Sequence, residues 1–150
     1  MEAYRHILLA ADFTAHGDRV AQRAFDLARL YQAELSVCHS VDSLPIAESV
    51  YGPIIPFDGD LTAELVATAE KQLAILGETY GIPRDRQWVV IGSPKTEILL
   101  LAEEHAADLI VVGSHGRHGL GLLLGSTASS ILHHAKCDVM AVRLKDTRSI

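Results

Sequence analysis

At 150 residues the chain has the length of one domain, and a hydrophobic share of 49% is enough to fill a core. A formal net charge of −6 with no basic run argues against a nucleic-acid groove. No apolar run reaches the about 18 residues of a membrane span, and the start Met1-Glu2-Ala3-Tyr4-Arg5-His6 lacks a signal-peptide core, so a cytoplasmic protein with neither membrane nor nucleic-acid partner is expected.

His6 to Asp12 is a short apolar run ending in an acid, and reads as a strand buried on both faces. Thr14 or His16 then opens a helix, with Val20, Ala24, Leu27, Ala28 and Tyr31 at helical spacing. Glu34 to Val41 reads as strand two, with Leu35, Val37, Cys38 and Val41 apolar. Asp42 to Gly59 holds three prolines among apolar residues and reads as a long loop over the sheet edge, or as a lid or interface segment.

Asp60 or Thr62 caps the next helix, whose face is Leu65, Ala69, Leu73 and Leu76. It runs to about Tyr80 and stops at Gly81-Ile82-Pro83. Gln87 to Gly92 is strand three. Ser93-Pro94 starts a helix with proline in its first turn, followed by Ile98, Leu101, Ala102 and His105 on one face. Asp108 to Val112 is strand four, Ala128 to Ala135 the last helix, and Asp138 to Leu144 strand five; the tail from Lys145 to Ile150 is expected to be loose. Strand and helix alternate throughout, which predicts an α/β doubly wound parallel sheet with right-handed crossovers. Cys38 and Cys137 lie far apart beside apolar runs and read as buried thiols.

The stretch from Val112 to Thr127 joins strand four to the last helix and carries Gly113, Gly116, Gly119, Gly121 and Gly125. Glycines admit a ligand close to backbone N–H groups. A helix N-terminus adds free N–H donors and a positive dipole end. Together they predict an anion site, most simply for phosphate. Ser126 and Thr127 would add hydroxyl donors, or one of them would cap the helix. The alternative is a surface loop with glycines at turn positions. A P-loop is excluded because no lysine follows the glycines, and Gly119-x-Gly121-x-x-x-Gly125 has only a faint dinucleotide look.

Ligands of open parallel sheets bind at the carboxyl ends of strands, where the strand order reverses. Asp12 ends strand one and Gly113 ends strand four, so neighbouring strands would set the acid opposite the glycine loop. Asp12 would then take ribose hydroxyls or hold a metal that bridges phosphates; its alternative role is to end the strand or cap the helix. Backbone groups at Val41 and Asp42 would meet a base edge.

Three stretches resemble the universal stress protein family: His6 to Thr14, His39-Ser40-Val41-Asp42, and Asp108 to Arg117 with Leu123-Leu124-Gly125-Ser126 and the closing strand from Cys137 to Arg143. The resemblance implies a five-stranded parallel sheet, order 3-2-1-4-5, with helices on both faces, of the Rossmann-like adenine nucleotide alpha hydrolase type. It implies a homodimer in which strand Val139 to Leu144 pairs across a two-fold axis. One branch of the family binds ATP through the glycine loop and another lacks both loop and ligand. By resemblance, Ala10, Ala11 and Asp12 line the adenosine side and Val41 lies near adenine. Val112, Gly113, His115 and Gly116 meet ribose and phosphates, and Gly125, Ser126 and Thr127 hold phosphates at the helix start. The implied cofactor is ATP or AMP, with or without Mg²⁺, in a nucleotide-responsive stress regulator with a protein partner that the sequence does not name.

The chain departs from the family at one point. The usual spacing is Gly-x2-Gly-x9-Gly-Ser/Thr, and here it is Gly113-x2-Gly116-x8-Gly125-Ser126. A deletion moves the chain by up to about 3.5 Å, beyond the tolerance of a hydrogen bond. Gly119 and Gly121 are placed to absorb it. A nucleotide-free dimeric adaptor and a slow ATPase using Asp12 with a bound metal therefore stand as alternatives. His115-x-x-His118 and His133-His134 lack the ligand count of a zinc site, and Ser126 and Ser129 lack a base, so neither a resident metal nor a catalytic group is expected.

Overall fold

The computed structural model describes residues 3–14, 17–42, 59–114 and 124–143. The apolar run after Arg5 becomes β1 (His6–Ala10), the middle strand of a parallel sheet. Its neighbours are β2 (Glu34–Val41) on one side and β4 (Leu109–Gly113) on the other, with β3 (Gln87–Ile91) and β5 (Asp138–Val142) at the edges. The order is β3-β2-β1-β4-β5, as expected from the resemblance. Ile7 sits opposite Leu35 of β2 and Leu109 of β4. The central position explains the composition: a strand covered on both faces has no solvent side for polar residues.

Successive side chains on a strand point to opposite faces, and each face has its own core. Ile7, Leu9, Leu35, Val37 and Val111 pack with Val20, Ala21, Ala24 and Ala28 of α1 (Gly17–Tyr31) and Leu73 of α2 (Gly59–Tyr80). Leu8, Cys38, Ile110 and Val112 pack with Ile98, Leu101 and Ala102 of α3 (Pro94–Glu104) and Ala128 and Ile131 of α4 (Ser126–His134). The alanines of α1 bring its axis close to the sheet.

Several boundaries move relative to the sequence reading. Strand pairing of β1 stops at Ala10, so Asp12 lies in the following turn. There the Thr14 carbonyl accepts the Gly17 N–H, and α1 starts at Gly17, whereas His16 lies outside the described residues. α2 begins at Gly59, so Asp60 and Thr62 fall inside its first turn, and Leu65 is exposed. β4 runs one residue later than expected because Asp108 turns back, accepting the N–H groups of Arg5 and His6 at 2.8 and 3.0 Å. α4 starts two residues early, which puts Gly125 at the cap and moves Ser126 and Thr127 into the helix. A 3₁₀ turn at Arg84–Arg86 precedes β3. The segment 43–58, Leu144 and the tail to Ile150 lie outside the described residues.

The end of the sheet away from Asp12 is braced by side chains. His6 Nδ1 lies 3.0 Å from the His105 carbonyl and its Nε2 lies 2.6 Å from the Ser36 hydroxyl. A carbonyl only accepts, so Nδ1 carries the proton and, in the neutral ring, the fully buried Ser36 donates to Nε2. His105 stacks on Trp88 with ring centroids 3.9 Å apart.

Two features of the frame lead to direct tests. α3 ends with the Ala107 N–H bonded to the Ala102 carbonyl and Ala106 at φ 55°, a left-handed position that usually takes glycine. α2 ends in the same way with Gly81 at φ 69°. Ala106→Gly is expected to stabilise the protein by about 0.5–1 kcal/mol, because relief of the left-handed strain outweighs the added chain entropy of glycine. Thermal unfolding should register this as a rise in Tm, and a fall would contradict it.

The second test concerns pH. Burial pushes the Cys38 thiol from 9.0 up to about 12, and the hydrogen bond that Tyr4 donates to Asp138 at 2.7 Å pushes its hydroxyl from 10.0 up to about 12. Folding therefore favours the protonated forms. That contribution is complete below pH 9 and is lost as the pH rises toward 12. The denaturation midpoint is expected to fall across this window, and less steeply in Cys38→Ala; equal slopes would remove Cys38 as a cause.

Candidate functional site

The chain runs outward from β1 through β2 to β3, then returns to the other side of β1 for β4. This reversal leaves a crevice at the carboxyl ends of β1 and β4. A cleft of about 380 Å³, counted with its open mouth, lies there, lined by Ala10, Ala11, Asp12, Thr14, Gly17 and Gly113 among others. The space that a water-sized sphere can enter is about 50 Å³, below the about 300–1,000 Å³ of small-molecule sites.

Asp12 is held by its own turn. Its Oδ1 accepts the Thr14 N–H at 3.0 Å and the Thr14 hydroxyl at 2.9 Å. A Cβ on Gly17 would stand 3.3 Å from the same oxygen, so the glycine keeps the first turn of α1 close to the carboxylate. The strand-ending role weighed for Asp12 is thus present, and the residue also lines the cleft. Asp18, in the first turn of α1, is a second acid on the same wall.

The two ends of the glycine stretch meet. Ser114 follows β4, donates its N–H to the Val142 carbonyl at 2.9 Å, and accepts the Gly125 N–H at 2.6 Å. This bond brings the start of α4 against the end of β4, next to Gly113. At φ −60° and ψ 154°, Gly125 occupies the cap position of α4, and no side chain of the described residues caps the helix. The N–H groups of a helix's first turn have no partner within the helix, which suits an anion. Of the two roles open to Ser126 and Thr127, hydroxyl donor or cap, the cap falls to Gly125 instead, because the helix starts earlier than its apolar periodicity does.

Of the residues singled out from the sequence, Ala10, Ala11, Asp12 and Gly113 line one cleft. Gly125, Ser126 and Thr127 stand at the start of α4, joined to the end of β4 through Ser114, and do not line the cleft. His115 and Gly116, with His118, Gly119 and Gly121, lie outside the described residues. Val112 is turned away, its side chain buried against α3 and α4. Val41 is 6% exposed, and its carbonyl points to β3, where it accepts the Gly92 N–H at 2.9 Å. The Cys38 carbonyl, by contrast, points to β1 and accepts the Ala11 N–H at 2.9 Å. Backbone groups of a strand alternate in direction, so those of Ser40, like those of Cys38, are turned to the β1 side.

Three further residues at this end escaped the sequence reading. Phe13 takes φ 57°, rare for a bulky side chain. His39 Nδ1 lies 2.7 Å from the Ala11 carbonyl. Thr14 holds the Asp12 carboxylate. The signal for His39 was present in the sequence: it stands on the same strand face as Leu35 and Val37, where an apolar residue is the rule.

Among the described residues, no group of three His, Cys, Asp or Glu side chains forms a metal site. Nor is any helix among them long and apolar enough to cross a membrane.

Known proteins share this architecture. The hypothetical protein MJ0577 superposes with a TM-score of 0.80 at 23% identity, over 97% of this chain and 100% of its own. A universal stress protein solved in complex with cAMP gives 0.66 at 23% identity, over 95% and 98%. At such identities the likeness is one of fold. Sequence carries the relation further. Universal stress protein A homolog 1 of Coxiella burnetii is 41% identical over 145 residues, which span 95% of this chain and 99% of that protein. A model of the universal stress protein family matches residues 3–143. A match of this length, together with a near-full-length relative at that identity, makes the chain a member of the universal stress protein family.

Proposed function

We propose that the protein binds an adenine nucleotide, ATP or AMP, in the crevice between β1 and β4 and acts as a nucleotide-responsive regulator. The observation that carries this reading is the Ser114–Gly125 bond, which sets the start of α4 against the end of β4, where Gly113 lines the Asp12 cleft. Backbone N–H groups with a positive dipole end favour phosphate. Ser40 offers one donor and one acceptor from its backbone, which suits a base edge. Asp12 Oδ1 is committed to Thr14, so Oδ2 is the oxygen a ribose hydroxyl would meet. His115 and Gly116 would complete the phosphate side. The cAMP complex of a protein with this fold agrees with an adenine nucleotide at such a site.

The acids of the cleft are two, Asp12 and Asp18, and they would repel a bare triphosphate. Mg²⁺ would therefore arrive on the phosphates, which supply most of its ligands. On this reading, nucleotide occupancy changes the Gly113–Thr127 stretch and so the surface offered to a protein partner. The protein acts as a homodimer on this reading. The edge strand β5 exposes Val139, Met140 and Ala141 in part, and pairing with a second copy would cover that edge.

The test is to denature freshly purified protein, analyse the supernatant for nucleotides, and titrate the native chain with ATP·Mg²⁺. Adenine nucleotide in the supernatant, or a saturable heat, supports the reading. A clean supernatant with a flat titration favours the nucleotide-free adaptor, to which the shortened Gly116-x8-Gly125 spacing points.

A further inference from the structure

The turn that presents Asp12 is held in place from the neighbouring strand. On β2, Leu35 and Val37 face α1 and α2, and His39 continues their stripe as a half-buried polar residue. Its Nδ1 is 2.7 Å from the Ala11 carbonyl. A carbonyl only accepts, so Nδ1 carries the proton. The Ala11 N–H is bound in turn by the Cys38 carbonyl at 2.9 Å. Both polar groups of Ala11 are thus tied to β2. Two residues on, the Phe13 ring lies against the His39 ring with centroids 4.5 Å apart, and Phe13 holds φ 57°. An aromatic residue stays in that region only where its surroundings fix it. Thr14 then closes the turn with two bonds to Asp12 Oδ1.

On the nucleotide reading of the cleft, we propose that His39 is a positioning residue of the site: its Nδ1–H and its ring fix the Ala11–Thr14 turn in the shape that keeps the Asp12 carboxylate on the cleft wall. His39 acts through Ala11 and Phe13. Without the Nδ1–H, the Ala11 carbonyl loses its partner. Phe13 then relaxes to an ordinary φ, and the carboxylate swings off the wall.

The experiment compares the full-length chain with His39→Leu and His39→Asn. The Asn side chain sets an amide N–H where the imidazole Nδ1–H stood, whereas Leu fills the space and donates nothing. ATP·Mg²⁺ affinity is measured by calorimetry, and amide hydrogen exchange is followed residue by residue. His39→Leu is expected to weaken binding by about tenfold or more, the effect of one lost ordering hydrogen bond. It should also lose protection at the Ala11 and Thr14 amides while Leu8 and Leu9 keep theirs. His39→Asn should bind within about threefold of the parent and keep that protection.

Parent-like affinity in His39→Leu overturns the proposal. So does a His39→Asn variant as weak as His39→Leu. A parent that takes up no ATP·Mg²⁺ overturns the nucleotide reading alone, and exchange then decides the role of His39. Selective loss at Ala11 and Thr14 in the Leu variant upholds the positioning role; unchanged or uniform protection overturns it.

Discussion

Gly125→Val is expected to abolish ATP·Mg²⁺ binding while the fold survives. The backbone at this position, φ −60° and ψ 154°, is open to any residue, so the conformation does not call for glycine. A bare Cα beside the first-turn N–H groups of α4 is what glycine provides there, and phosphate must approach those groups to hydrogen-bond distance. A β-branched side chain would occupy that space. Loss of several charge-assisted hydrogen bonds, each about 1.5–3 kcal/mol, corresponds to a fall in affinity of about a hundredfold or more. Valine is a poorer cap than glycine, which costs the helix about 1 kcal/mol, small against the about 5–15 kcal/mol of a domain. Calorimetric titration of the folded variant, with circular dichroism to check the fold, decides the matter. Parent-like binding would remove the start of α4 from the site, and the family resemblance alone would then be no guide to where phosphate sits.

Gly77→Ala is expected to destabilise the protein, with the opposite sign to the one that helix propensity gives. Gly77 is buried near the end of α2. In a helix, exchange of glycine for alanine gains about 1 kcal/mol. Here a Cβ would lie 2.8 Å from the Ile82 carbonyl oxygen and would run into the Gln87 side-chain amide. The oxygen belongs to the backbone of the turn that follows α2, so the turn itself must shift. Gln87 meanwhile donates to that same carbonyl at 2.9 Å, a bond the added methyl displaces. Overpacking costs about 1–3 kcal/mol and the lost bond about 1 kcal/mol. The net effect is a loss of about 2 kcal/mol, which thermal or urea unfolding will resolve. An unchanged or raised Tm would show that the turn yields without cost.

These two glycines show how far sequence reasoning reaches. Gly125 drew notice because glycines crowd the stretch from Gly113 to Gly125, and crowded glycines before a helix have a local meaning. Gly77 drew none. Its neighbours Ile82 and Gln87 become contacts only when the chain turns at Gly81 and β3 returns along α2.

His39 and Ser40 follow the same division. A strand at Glu34 to Val41 is legible from its apolar residues, and its end next to the crevice follows from the α/β pattern. Which backbone groups face the crevice depends on the pleat phase. That phase is fixed by pairing, with Val41 opposite Ile91 and the Cys38 carbonyl taken by Ala11. A slip of one residue reverses every such assignment.

The sequence by itself determined the alternation of five strands and four helices, because hydrophobic periodicity is a local property of the chain. It determined the buried middle strand at Ile7 to Leu9, and the glycine-rich passage into α4, for the same reason. The strand order came to the sequence reading through family resemblance, since periodicity says nothing about which strands are neighbours. Only the tertiary structure decided where α4 begins and that Gly125 caps it. Only the tertiary structure joined Ser114 to Gly125 and set His39 and Phe13 behind Asp12. The contacts of His39 with Ala11 and Phe13 join residues far apart along the chain and follow the register of β2 on β1, and register is a property of pairs of segments that no single segment contains.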